Sequence, residues 1–230
     1  PYGIRFSEIK RRPVYRVGVS ASDDRRRGSY AKGIAKREEI LTRALDVIAR
    51  EGYSGASVKQ LATAVGLSQA GLLHYFDSKE ELFTAILRKR DEVDRAQFDG
   101  WDDGTAHLDA GAATFDAVRE GYLAVIRHNS EVPGLVQLFS RMAVDATDPQ
   151  HPAHGFFLNR SRELRGVLVR AFADAQAAGA LRADLDPGVL ARMFQALADG
   201  LQLQWMLDPD VDMTSIVDSL FAALTPGTPG

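Results

Sequence analysis

Residues 57–83 read SVKQLATAVGLSQAGLLHYFDSKEELF, and the organisation of the chain can be worked out from this stretch in both directions. Ser57 with Gln60 has capping-box spacing, a hydroxyl and an amide placed to satisfy each other's backbone N–H groups, and it opens a short helix through Ala64. Gly66 breaks that helix and supplies the backbone freedom a tight turn needs. Ser68 caps a second short helix through about Tyr75. Ser78 with Glu81 repeats the capping box and starts a longer helix running to roughly Phe98. Two short helices meeting across a turn of a few residues have the geometry of a helix-turn-helix. Ala62 is small where the two must cross, and Leu61, Val65, Leu67 and Leu72 can close the corner.

The second of these helices is oriented by its own apolar residues. Leu72 and Phe76, four apart, define an inward side, so Ala70 and His74 point most nearly away, with Gly71 and Leu73 beside them. Gln69 lies at the N-terminal end. Such a face suits a DNA major groove: glutamine can read adenine bidentately, histidine can bond a base edge or a phosphate, and leucine can touch a thymine methyl. Open amides at the starts of this helix and the next can hold phosphates. Lys79 opposes the dipole of the helix it begins, which a phosphate partner would explain. Lys59 adds a further positive charge nearby.

Working outward, Ile40, Leu41, Ala44, Leu45 and Ile48 form one helical face from about Lys36, and Gly52 follows as a stop. Upstream, residues 1–32 show no sustained period. Gly3, Pro13, Gly18 and Gly28 interrupt them, and Lys10-Arg11-Arg12 and Arg25-Arg26-Arg27 make a basic, flexible arm the expected reading. Downstream, residues 99–107 read as a turn. Helices are then expected near 108–129, 133–146, 153–178, 187–207 and 213–224, punctuated by Gly134, Asp148-Pro149, Gly179, Asp186-Pro187 and Asp208-Pro209. No stretch alternates with period 2 long enough for a strand. The expected fold is all-α: an arm (1–32), a three-helix helix-turn-helix domain (33–80) and a C-terminal helical bundle for ligand binding and dimerisation (81–230).

Composition agrees with a globular protein and removes several classes. The chain has no cysteine, so disulfides, thiol catalysis and Cys-based zinc sites are out, and a reducing cytoplasm is the expected compartment. No run of about 18 apolar residues exists to span a membrane, and no apolar signal segment opens the sequence. The net charge of −3 conceals an asymmetry: residues 1–90 hold 18 Lys and Arg against 10 Asp and Glu, whereas residues 91–230 hold 10 against 21. A basic amino half points to an anionic partner, nucleic acid first. No phosphate-binding glycine loop, nucleophile elbow or HExxH is present, so neither an enzyme nor a cofactor is expected. His151 and His154 flank Pro152 and read as a loop pair rather than a metal site, and Asp99, Asp102 and Asp103 as a solvated turn. The competing class is a helical adaptor without specific DNA readout.

The first helix KREEILTRALDVIAREGYSGASV, the helix-turn-helix LATAVGLSQAGLLHYF and the following DSKEELF, spanning residues 36–83, together resemble the tetracycline-repressor (TetR) family of bacterial regulators. The resemblance implies a three-helix DNA-binding domain, a fourth linking helix and a variable helical ligand domain. It implies a homodimer on palindromic operator DNA, usually a repressor released by a small-molecule effector. By that resemblance Ser57, Ser68, Tyr75 and Lys79 would contact phosphates, and Gln69, Ala70 and His74 would face bases. Leu73 stands where the family usually has tyrosine, so one common phosphate contact differs here.

Beyond residue 98 the resemblance is one of outline. Leu190, Met193, Phe194, Leu197, Leu201 and Trp205 share one helical face, and Ile216, Val217, Leu220, Phe221 and Leu224 another. These two helices are the expected dimer bundle, with Phe194, Leu197, Leu201, Trp205, Val217, Leu220 and Phe221 at the interface. The middle helices carry bulky apolar groups. Tyr122, Phe139, Met142 and Phe156 are the expected lining of an effector pocket, with Asn159, Arg162 or His128 as polar anchors.

Overall fold

A computed structural model describes residues 21–52, 57–97 and 115–226. Every regular element among them is a helix: α1 (Ala21–Glu51), α2 (Val58–Ala64), α3 (Gln69–Leu73), α4 (Lys79–Gln97), α5 (Phe115–Glu131), α6 (Pro133–Asp145), α7 (His154–Ala177), α8 (Pro187–Leu207) and α9 (Met213–Leu224). The turn expected at 99–107 lies outside the described residues.

The boundaries follow from local chemistry. α1 buries Ile40, Leu41, Ala44 and Ile48 at helical spacing and stops at Gly52, whose φ of +75° suits glycine. The Ser57 hydroxyl accepts the Gln60 N–H at 3.3 Å while Gln60 Oε1 accepts the Ser57 N–H at 3.0 Å, so the capping box of α2 is closed. Gly66, with φ +70°, ends it, and the Leu67 N–H donates to the Ala62 carbonyl at 2.8 Å. Asp186 and Asp212 cap α8 and α9 by accepting the Val189 and Ser215 N–H groups. Pro133 and Pro187 occupy first turns, where a missing N–H costs nothing.

α1 departs from expectation at its start. It begins at Ala21, so residues 21–32 are helix rather than a flexible arm; residues 1–20 lie outside the described residues. Glycine inside a helix costs about 1 kcal/mol relative to alanine, whereas proline costs about 3. Gly28 and Gly33 therefore weaken this helix without ending it, and no proline occurs between Pro13 and Pro133.

The boundary expected after residue 80 is not a packing boundary. From Glu38 onward the chain forms one compact unit. A first core joins α1, α2, α3 and the first half of α4 (Leu82, Phe83, Ile86, Leu87) to Leu135, Leu138 and Met142 of α6, with Phe156 and Phe157 of α7 packed against it. A β-carbon at Gly134 would lie 2.1 Å from the Ile48 carbonyl oxygen and 2.7 Å from the Gly52 α-carbon, so the start of α6 sits directly on the end of α1. A second core is built from α5, α7, α8 and α9 around Tyr122, Phe172, Phe194 and Phe221. The Phe194 and Phe221 rings lie 4.4 Å apart between centroids, and the Tyr122 hydroxyl donates to the Phe194 carbonyl at 2.9 Å.

Candidate nucleic-acid interface and regulatory core

Leu72 and Phe76 are buried against α1 and α2, which fixes the roll of α3 about its axis. With that roll set, Gln69, Ala70 and His74 are exposed, as are Ser57, Lys59, Ser68 and Lys79 around them. Gly71, Leu73 and Tyr75 are half-buried. Leu73 and Tyr75 pack against the first core, so each splits its side chain between holding α3 and facing outward. The His74 and Tyr75 rings meet edge to face at 5.9 Å, and the Lys79 ammonium lies 5.6 Å from the Phe83 ring centre.

Not every backbone amide at these helix starts is open. The Ser68 hydroxyl takes the Gly71 N–H at 3.0 Å and the Ser78 hydroxyl takes the Glu81 N–H at 3.0 Å. The Ser57 hydroxyl itself donates to Gln60 Oε1 at 2.6 Å. These serines hold the helix starts in place, and the surface they present is preorganised.

Behind this surface, α4 is tied to the helices around it by charged groups. Arg90 is 5 % exposed. Its Nη2 donates to Asn129 Oδ1 on α5 at 2.6 Å and its Nε to Asp94 at 3.3 Å. Burial lowers the guanidinium from its ordinary range and Asp94 opposes that. His128 Nε2 lies 3.4 Å from Asp94 Oδ1, and its Nδ1 lies 3.4 Å from Glu131 Oε2. Arg160 of α7 donates to Asp91 at 2.9 Å, and its guanidinium carbon lies 4.8 Å from the Phe139 ring centre, with Arg90 at 5.9 Å from the same ring. Sequence reasoning named only His128 and Phe139 from this group. An arginine with aspartates one and four residues on reads as a solvated helix face until Asn129, 39 residues away, covers it.

The expected pocket residues fall into separate groups. Phe139, Met142 and Phe156 belong to the first core, Tyr122 to the second, and Asn159 and Arg162 lie on the exposed side of α7. Burial pushes the Tyr122 phenol up, with Asp199 adding to the shift.

The expected dimer residues are also displaced. Phe194, Leu201, Val217 and Phe221 are buried inside the protomer, and Leu197, Trp205 and Leu220 pack on the same second core. The first four are committed within the protomer, whereas Leu197, Trp205 and Leu220 keep part of their surface open. Exposed apolar groups in this region include Val189, Met193, Leu203 and Leu207 on the opposite side of α8, Leu158 on α7 and Ile216 on α9. An open groove of about 540 Å³ runs between α7 and α8 on that side, lined by Val169, Val189 and Met193 with Arg165 and Arg192.

His151 and His154 serve the loop before α7: His151 Nδ1 accepts the Ala153 N–H at 3.2 Å, and His154 Nδ1 lies 2.8 Å from the Ala146 carbonyl. Among the described residues no helix is long and apolar enough to cross a membrane.

Comparison with known proteins agrees with this geometry. Residues 40–86 match the profile of bacterial regulatory proteins of the tetR family, and residues 156–225 that of the C-terminal region of BetI-type transcriptional repressors. The HTH-type transcriptional regulator TcmR of Streptomyces glaucescens is 28% identical over 192 residues, covering 82% of this chain and 80% of TcmR. The HTH-type transcriptional regulator RutR of Escherichia coli is 44% identical over 55 residues, which is 24% of this chain and 26% of RutR. A putative TetR-family regulator from Rhodococcus sp. has a similar structure, with a TM-score of 0.63 at 22% identity over 83% of this chain and 98% of that one.

Proposed function

Since the chain belongs to the tetracycline-repressor family of bacterial transcriptional regulators, we propose that it is a repressor that binds palindromic operator DNA as a homodimer and is released by a small-molecule effector. The observation that carries this is the split of α3: Leu72 and Phe76 anchor it, while Gln69, Ala70 and His74 stand open at its leading end. Gln69, Ala70, Gly71, Leu73 and His74 face the bases, and Ser57, Lys59, Ser68, Tyr75 and Lys79 the phosphates. The adaptor reading gives no account of a polar recognition face above a fully packed anchor.

The second copy docks on the open face of α7 and α8, where Leu158, Val189, Met193 and Leu203 remain uncovered. Dimerisation there sets the spacing of the two α3 helices, which must be about 34 Å or a multiple to enter successive major grooves. The test is a gel shift with the DNA upstream of the protein's own coding sequence against a scrambled duplex of equal length. Salt-sensitive binding confined to the upstream duplex is expected; equal binding to both sinks the readout and leaves a basic module without sequence preference.

A further inference from the structure

The first half of α1 has no part in the function derived so far. The helix begins at Ala21, well before residue 40, where the match to the tetR-family profile starts. It also precedes the compact unit that opens at Glu38. From Ala31 to Glu39 no residue is buried, Ile34 is 48% exposed, and a β-carbon at Gly33 would meet nothing within 4 Å. Helices in proteins owe most of their stability to an apolar face packed on a neighbour. This stretch lacks that support, and Gly28 and Gly33 inside it weaken it further.

Its composition names what could supply the support. Residues 21–37 hold six basic residues, Arg25, Arg26, Arg27, Lys32, Lys36 and Arg37, against two acidic ones, Asp23 and Asp24. The acidic pair stands in the first turn, where the helix dipole favours negative charge. The basic residues follow, and the spacing of Arg25, Lys32 and Lys36 puts them on one side of the helix. Like charges crowded on one short helix repel, and an anionic partner relieves that repulsion as it binds. A membrane surface asks for an apolar face beside the basic one; Tyr30 and Ile34 are the only large apolar residues in this stretch. Duplex phosphates ask for none, and guanidinium groups suit them well.

We propose that residues 21–37 are a second DNA contact: a basic helix that holds duplex phosphates without reading sequence, and that adds affinity on operator and on other DNA alike. The proposal rests on the reading above that the chain binds operator DNA through α3. α3 then supplies the preference among sequences, and the start of α1 supplies affinity and salt sensitivity common to all of them.

The experiment is fluorescence anisotropy of the full-length protein over a range of salt concentrations. The probes are the duplex from upstream of its own coding sequence and a scrambled duplex of equal length. A variant with Arg25→Gln, Arg26→Gln, Arg27→Gln and Lys32→Gln should bind both duplexes about tenfold more weakly at low salt. Its slope of log K against log salt should be shallower by about 2 or more per dimer. Gly28→Pro keeps every charge but breaks the helix, and should lose much of the same affinity. Gly33→Ala should tighten both complexes by up to about fivefold. Chemical denaturation of the free proteins should be unchanged, because this stretch packs on no core. Unchanged slope and affinity in the glutamine variant overturn the proposal, as does a loss confined to the upstream duplex, which would mean base reading. Wild-type binding by Gly28→Pro overturns it in favour of a flexible cationic tail. Cosedimentation with phosphatidylglycerol vesicles that the glutamine variant abolishes, with its DNA slope intact, overturns it in favour of a membrane. Equal wild-type binding to both duplexes, weakened alike in the glutamine variant, sinks the operator readout and leaves this contact. Preference for the upstream duplex with an unchanged slope in the variant does the reverse.

Discussion

Gln69 and His74 project from the open side of α3 while Leu72 between them is fully buried, so these two exposed side chains are spared from holding the helix to the core. Replacing Gln69 or His74 with alanine should cost about 1–3 kcal/mol of specific affinity per lost base contact, measured by anisotropy on operator and on random duplex. Equal losses on the two would mean that these residues touch only backbone. The exposed face of α3 was legible in the sequence because its position follows from local rules: a capping serine, a glycine turn and two apolar residues four apart. Arg90, Asn129 and Asp199 were not legible, because each owes its character to residues far away in sequence. Asp199 also gives a pH test with a definite sign. Its carboxyl is raised in the folded protein, by burial first, with Arg160 of α7 opposing and the Tyr122 phenol of α5 nearby. Unfolding should therefore become harder as pH drops through that raised range, and Asp199→Asn should flatten that part of the stability–pH profile measured by chemical denaturation. The effect on stability has a definite sign. The folded state holds the proton more tightly than the unfolded one, so this residue destabilises the protein above its raised range and ceases to do so below it.

At the scale of elements, α8 shows where periodicity stops informing. It carries apolar residues on both sides, Leu190, Phe194 and Leu201 inward and Val189, Met193, Leu203 and Leu207 outward. A sequence pattern shows that a helix has apolar sides but not which side its own chain will cover. α9 takes the first side, which leaves the second for the proposed dimer. Met193→Asp with Leu203→Asp should therefore yield a folded monomer in sedimentation velocity, with helical content kept. A dimer that survives both changes would exclude this face. Two glycines give a paired test of the α1–α6 seat. Gly155 lies within α7 with nothing within 4 Å of a β-carbon, so Gly155→Ala should be neutral or stabilise by up to about 1 kcal/mol. Gly134→Ala puts a methyl 2.1 Å from the Ile48 carbonyl oxygen, backbone that cannot rotate away. It should cost about 1–3 kcal/mol in chemical denaturation and shift operator affinity, because the end of α1 carries the helix-turn-helix.

At the scale of the whole molecule, effector release requires that the regulatory core and α3 share one equilibrium. α4 is the shared element: its first half lies in the same core as α3, and its second half is held by Arg90 to Asn129 on α5 and by Asp91 to Arg160 on α7. An effector can shift α4 only as far as its affinities for the two arrangements differ. Coupling is then reciprocal: if effector weakens operator binding tenfold, operator weakens effector binding tenfold, about 1.4 kcal/mol either way. Paired titrations, effector into free protein and into the protein–operator complex, measure this directly. Asn129→Leu should leave the operator affinity of the effector-free protein close to wild type, because Asn129 is buried behind the recognition face and bonds Arg90 rather than DNA. Arg90 would keep Asp94 but lose its bond to α5, and the ratio between the two effector affinities should shrink towards one. A ratio unchanged in Asn129→Leu and in Arg160→Met would mean that the signal reaches α3 by another route, through the Gly134 seat on α1. A ratio of one already in the wild type would mean that the protein is a constitutive DNA-binding dimer.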